Sequence, residues 1–212
     1  MASFSRFSLS CIIAGMIAFL ACESVKGQGY RFEYARNRVN PVIQLGYAGG
    51  MIANPDRTPF LRIYGDGTVV VHYPKYTRKA GEYEMKLTDD ELNSLLSSLA
   101  KKGLMTFDAE KVKEEKRKEL KRRQEEARKT GKMAVTAAIM DAATTVVEIK
   151  LDSFTPADKP AGTVRNLNKK ISWYAVEFDA RQFPQVRSLV NLAAAVKELR
   201  ALANSNALQK RN

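Results

Sequence analysis

The chain has 212 residues, of which 35 are basic and 23 acidic, a formal charge of +12, with one histidine and two cysteines. That length suits a single domain with an ordinary core, and the charge favours anionic partners. One histidine and two cysteines are too few for a zinc site of the usual kind.

Taken in chain order, Arg6 precedes an apolar run from Cys11 to Ala21, followed by small and polar residues. This predicts a secretory signal over 1–27. The run is shorter than the roughly 20 residues a spanning helix needs, so no transmembrane span is expected once the signal is cleaved. Two processing routes compete. Val25 and Gly27 suit cleavage before Gln28, giving a periplasmic or secreted protein. Alternatively, Leu20-Ala21-Cys22 resembles the end of a lipobox, with Cys22 as the lipidated residue and Phe19 departing from the pattern. Soluble release is the preferred expectation. Both cysteines fall inside the segment, so the mature chain would hold no disulfide. It would keep 33 basic and 22 acidic residues, a formal +11. An anionic envelope surface or an acidic protein fits this charge; export makes nucleic acid the least natural partner.

Residues 28–58 read as an N-terminal extension, with an edge strand over Val42 to Tyr47 and a loop marked by Gly49, Gly50, Pro55 and Pro59. Phe60 to Tyr64 and Thr68 to Tyr73 alternate as strands around Gly65-Asp66-Gly67, a hairpin signal in which glycine accepts positive φ. Gly81 to Leu87 predicts another strand. Thr88-Asp89-Asp90-Glu91 then fits a capping box. Leu92, Leu95, Leu96 and Leu99 recur at helical spacing, and Gly103 suits a left-handed cap.

A charged insertion over 109–132 follows. Glu110 to Lys132 holds eleven basic and six acidic residues, nearly all strong helix formers. Glu114/Lys118, Glu119/Arg123 and Glu125/Lys129 stand four apart, each worth about 0.2–0.5 kcal/mol. Only Val112, Leu120 and Ala127 are apolar, too few for a buried face. A solvated helix standing off the domain is expected, with an electrostatic docking arm as the sharper alternative. Met133 to Ala143 is ambiguous between helix and loop.

Thr144 to Leu151 predicts a strand, a connection runs to Lys170, and Ile171 to Phe178 predicts its partner. Pro184 suits the first turn of a last helix, whose stripe is Val186, Leu189, Val190, Ala193, Val196 and Leu199. Residues 205–212 read as a polar tail. The expected fold is α+β: one domain over 59–204, an antiparallel sheet of about four to six strands, and two amphipathic helices on one face.

Chemical motifs are sparse. His72, the only histidine, lies mid-strand with no nucleophile elbow in the chain, so a structural role is expected. Gly65-Asp66-Gly67-Thr68 lacks the remaining ligands of a calcium loop and the third glycine of a dinucleotide fingerprint. Asp56, Asp66, Asp89, Asp90, Glu91, Asp108 and Asp141 are available as paired carboxylates, yet spacing singles out no pair. No catalytic residue, metal or cofactor is indicated. One surface candidate stands out: Tyr73, Lys75, Tyr76, Arg78 and Lys79 in one strand connection, with Arg165, Lys169 and Lys170 in the corresponding connection of the second half. If the halves are related by pseudo-symmetry, these residues form a single basic, partly aromatic patch.

From Phe60 onward the chain resembles a family of small exported bacterial domains of unknown function. The resemblance rests on Ile63 to Val69, on Gly81 and Tyr83, on Leu87 to Leu92, on Asp141 with Thr144, and on Pro184. It covers about residues 59–203. It implies an exported or lipid-anchored domain and supplies no catalytic residues; the charged arm departs from it. The expected function is a non-enzymatic exported binding module, cationic and suited to anionic envelope components. A carboxylate-based hydrolase of envelope polymers and a lipid-anchored structural protein are the alternatives.

Overall fold

In the computed structural model, residues 29–49, 56–131, 139, 141–159 and 161–211 are described. Residues 1–28, which include the expected signal segment and Cys22, and most of Met133 to Ala143 lie outside them. The strands are β1 (Arg31–Glu33), β2 (Pro41–Ala48), β3 (Leu61–Tyr64), β4 (Thr68–Tyr73), β5 (Gly81–Lys86), β6 (Thr144–Thr155), β7 (Val164–Tyr174) and β8 (Gln209–Lys210). The helices are α1 (Asp89–Lys101), α2 (Ala109–Lys129), α3 (Val176–Gln182) and α4 (Arg187–Leu202), with a 3-10 turn at Leu104–Thr106.

All pairings are antiparallel, in the order β7–β6–β2–β3–β4–β5–β8. β1 lies beside the far half of β6, on the same side as β2. The α+β class and antiparallel sheet match the expectation, but eight strands exceed the expected number. The surplus comes from short strands such as β1 and β8, whose two or three residues carry no readable period.

Register explains the layers. Ile43 faces Ile149 and Ile63, Leu45 faces Val147 and Leu61, and Leu61 faces Val71. Alternation puts all of these on one face of the sheet. There they join Leu92, Leu96 and Leu99 of α1 and Leu189, Leu192 and Leu199 of α4 in one cluster. Each of these leucines is almost fully buried and contributes about 1.5–3 kcal/mol, so packing outweighs any local helix signal. The opposite face, through Gln44, Arg62, His72, Glu82, Glu84, Glu148 and Lys170, carries charge and, among the described residues, no helix.

The turn chemistry holds where the sequence is locally specific. Thr88 accepts from Glu91 N–H while the Glu91 carboxylate accepts from Thr88 N–H, completing the capping box. Gly103 has φ +78° after α1. In the β3–β4 hairpin only Gly67 has positive φ, at +85°. Gly67 N–H donates to Tyr64 O and Thr68 N–H to Asp66 Oδ1, a three-residue loop closed by a glycine bulge.

Four expectations are corrected. β2 is interior, flanked by β3 and β6, not an edge strand. β7 begins at Val164, inside the expected connection, because the long β6 offers it a full ladder. The strand ends at Tyr174, where Ala175 takes φ +49°, and Val176 to Phe178 start α3. Pro184 lies in the turn between α3 and α4 rather than in the first turn of the last helix.

Candidate functional site

The charged helix α2 lies against the domain as far as Arg123, and beyond it only Ala127 is not exposed, so the expected solvated arm is confined to its end. Asp108 caps it, accepting from Glu110 and Lys111 N–H. Val112 is 2% exposed and anchors the first turns, with Leu120 packed against the core further along. Between and beyond them, charged side chains replace the missing apolar ones. Lys116 Nζ donates to Asp179 Oδ2 at 2.6 Å and lies 5.1 Å from the Phe183 ring centroid. Arg123 lies 5.2 Å from the same centroid and donates to Gln185 Oε1. Glu119 accepts from both Arg122 and Arg123. Those bonds hold its carboxyl well below the usual carboxylate range, at about 2. Val112, Lys116, Leu120 and Arg123 share one helix face by their spacing, so a stripe of alternating apolar and basic side chains docks the helix.

Asp179 is the pivot. It is 8% exposed, sits in the first turn of α3, and accepts a second bond from Trp173 Nε1 at 2.9 Å. Trp173 in turn meets Phe107 edge-on at 6.2 Å. The left-handed bend at Ala175 makes this arrangement available, since it turns the chain from β7 into α3 within one residue. Ala175 N–H is held by Ala143 O. Tyr174 OH donates to Ile139 O and accepts from Ala142 N–H.

A cleft of about 700 Å³ opens between α2, α3 and the end of β7. Its apolar walls include Leu120, Ile139, Tyr174, Phe178 and Phe183, with Trp173 at its base. On the α2 side it carries Lys113, Lys116 and Arg117 against the single acid Glu110. Lys113 pairs with Glu110 and Arg117 with Glu114, both at 2.7 Å along the exposed helix. Such pairs are worth only a few tenths of a kcal/mol, so a competing anion can take either cation. The volume lies within the range of small-molecule pockets.

The patch expected from sequence is not assembled. β4 ends at Tyr73 at the end of the sheet where β7 finishes, whereas Arg165 lies near the start of β7. Four strand spacings, roughly 19 Å, further separate β4 from β7. Tyr73 belongs to the helix face: its OH donates to Ala203 O and its ring meets Phe60 and Tyr83. Lys75, Tyr76, Arg78 and Lys79 are exposed on the β4–β5 turn. Lys169 and Lys170 are neighbours on β7 and so face opposite sides of the sheet. Pseudo-symmetry fails because the β4–β5 and β6–β7 connections sit at opposite ends.

Sequence reasoning missed Asp179 and Trp173 as a site. Their sixth-neighbour spacing across a strand–helix bend has no motif, and the Lys116 that completes them lies on another element. It also missed the partner of His72. His72 Nε2 lies 2.6 Å from Asp56 Oδ2, and this bond, then Thr58 N–H, holds the Asp56 carboxyl down at about 2. Among the described residues, no three His, Cys, Asp or Glu side chains converge as metal ligands, and no helix is long and apolar enough to cross a membrane.

No family model, no curated protein and no solved structure matches the chain.

Proposed function

We propose that this protein is an exported binding module whose site is the cleft between α2 and α3, and that its ligand is an amphipathic anion. The observation that carries the reading is an aromatic and aliphatic cavity of about 700 Å³ whose α2 side is basic. An apolar tail or ring would lie against Leu120, Tyr174 and Phe178. Its acidic group would reach Lys113 and Arg117, displacing their weak intrahelical partners. Asp179 does not repel it strongly, because Lys116 and the Trp173 indole already occupy that carboxylate. In an exported, strongly basic protein, fatty acids and acidic lipids of the envelope are ligands of this class.

The chain holds one tryptophan, and Trp173 lines the cleft, so its emission reports occupancy directly. Titration with dodecyl phosphate, below its micelle concentration, is expected to give a saturable change. Dodecyltrimethylammonium is expected to bind at least tenfold more weakly, and Lys113→Glu with Arg117→Glu to abolish the preference. Equal response to the two detergents, or no saturable change, would reject the reading.

A further inference from the structure

A second cavity lies on the face of the sheet opposite α1 and α4, away from α2 and independent of the reading above. Its floor is a gap in the side-chain layer. On that face the interior strand β2 presents Gly46 and Ala48 after Gln44, so little bulk rises from β2 itself, and Val146, the cross-strand partner of Gly46, lines the space beside it. Cross-strand register builds one wall: Gln44 faces Glu148, and Glu148 faces Lys170. Asp56 and Arg57, with Pro59, close the other side, leaving about 440 Å³.

The charges lining this space are balanced, two of each sign. The bond from His72 holds the Asp56 carboxyl low, and Lys170 Nζ is 2.7 Å from Glu148 Oε1. Lys170 is a side chain the sequence singles out, here serving a different neighbourhood from the one expected. Arg57 is exposed and makes no ion pair among the described residues. A simple anion entering to meet Arg57 would share the cavity with two carboxylates. A simple cation would share it with a guanidinium and an ammonium. A molecule carrying both charges can set each of them against a charge of opposite sign.

We propose that this cavity is a binding site for a small zwitterion of dipeptide size, its ammonium toward Asp56 and Glu148 and its carboxylate toward Arg57 and Lys170. The backbone of Gly46 suits a decisive variant. Its φ is not in the left-handed region, and a Cβ there would meet only Pro59 Cα, at an ordinary 3.7 Å. The backbone therefore accepts a Cβ at Gly46, and Gly46→Val, a strand-favouring residue, adds its methyl groups on the cavity side.

Isothermal titration calorimetry of the full chain tests this with alanyl-alanine, its N-acetyl form and its C-terminal amide. The free dipeptide is expected to bind saturably. Each blocked form, lacking one charge, is expected to be at least tenfold weaker, and Gly46→Val to abolish binding while Trp173 emission and the melting temperature stay unchanged. Should Gly46→Val disturb the fold, Lys170→Gln at its exposed position decides instead, with an expected loss of fivefold or more. No binding of the dipeptide, equal binding of a blocked form, or full affinity in the folded Gly46→Val variant or in Lys170→Gln overturns the proposal. Because Trp173 lies on the other face, a failure here is separate from a failure of the cleft under α2.

Discussion

Lys116 Nζ and Asp179 Oδ2 stand 2.6 Å apart, with side chains 32% and 12% exposed. This contact, with buried Val112 and with Arg123 on Phe183, joins a mostly charged helix to the domain at the rim of the cleft. The desolvation of Asp179 is offset by two donors on one oxygen, the ammonium and the Trp173 indole. Neither donor alone replaces the other: the indole orients the carboxylate, and the ammonium neutralises it.

Lys116→Met keeps the aliphatic stem over Phe183 and removes the charge. It leaves Asp179 buried with the indole as its remaining named donor. The expected cost is about 1–3 kcal/mol in urea denaturation, with faster amide exchange along α2 and a shifted Trp173 emission. Lys116→Arg, which can still donate, should recover most of the loss. If Lys116→Met left stability, exchange and emission at wild-type values, the docking role would be wrong.

The hairpin carboxylate Asp66 sets an acid limit. Burial pushes its carboxyl up, but bonds from Lys86, Thr68 N–H and Thr68 OH prevail and hold it at about 2, below its ordinary 3.8. A folded value below the unfolded one means the unfolded chain binds the proton first. The stabilisation is thus present above pH 4 and is lost as pH falls from about 4 towards 2. At neutral pH, Asp66→Asn is expected to cost on the order of 1–2 kcal/mol, given a side chain 28% exposed. It should also flatten the stability profile between pH 4 and 2. Asp56 and Glu119 are lowered too, so part of the acid slope should survive; an unchanged slope would contradict the assignment to Asp66.

What could be read from the sequence follows the range of the interactions. The α1 capping box and leucine stripe are legible because every partner lies within a few residues. The interior place of β2 is not, because β6, its second neighbour, begins at Thr144. β7 hides as a connection because its polar start, Val164 to Lys170, breaks the apolar alternation before Ile171. The bend at Ala175 hides for a related reason: left-handed backbone usually announces itself with glycine, and here an alanine adopts it. In α2, counting apolar residues misleads because lysine and arginine perform the packing on Phe183. The cleft is illegible for the same cause, since its charged and aromatic halves meet only after the chain folds.

The start of α1 offers a local test. Thr88→Ala removes the hydroxyl that accepts from Glu91 N–H and leaves the reciprocal bond without its partner geometry. About 1 kcal/mol of stability should be lost, visible as a lower urea midpoint with an unchanged slope. Thr88→Ser should be close to neutral. A Thr88→Ala protein as stable as wild type would show that the buried leucine face alone holds the helix start.

Two glycines with nearly the same φ should respond differently to alanine. Gly103, at +78°, has open space where a Cβ would go, so Gly103→Ala meets only backbone strain, about 1 kcal/mol. Gly67, at +85°, has the Leu87 carbonyl oxygen in that space. Gly67 O also accepts from Leu87 N–H, which ties the hairpin bulge to the residue just before the α1 cap. A methyl group there must push β5 and the start of α1 away from β4, breaking this bond as well as straining the turn. Gly67→Ala is therefore expected to cost at least about 3 kcal/mol, several times the Gly103→Ala effect. Parallel urea titrations of the two variants provide the measurement. Equal losses would mean that φ alone governs both sites and that the Leu87 contact yields at no cost.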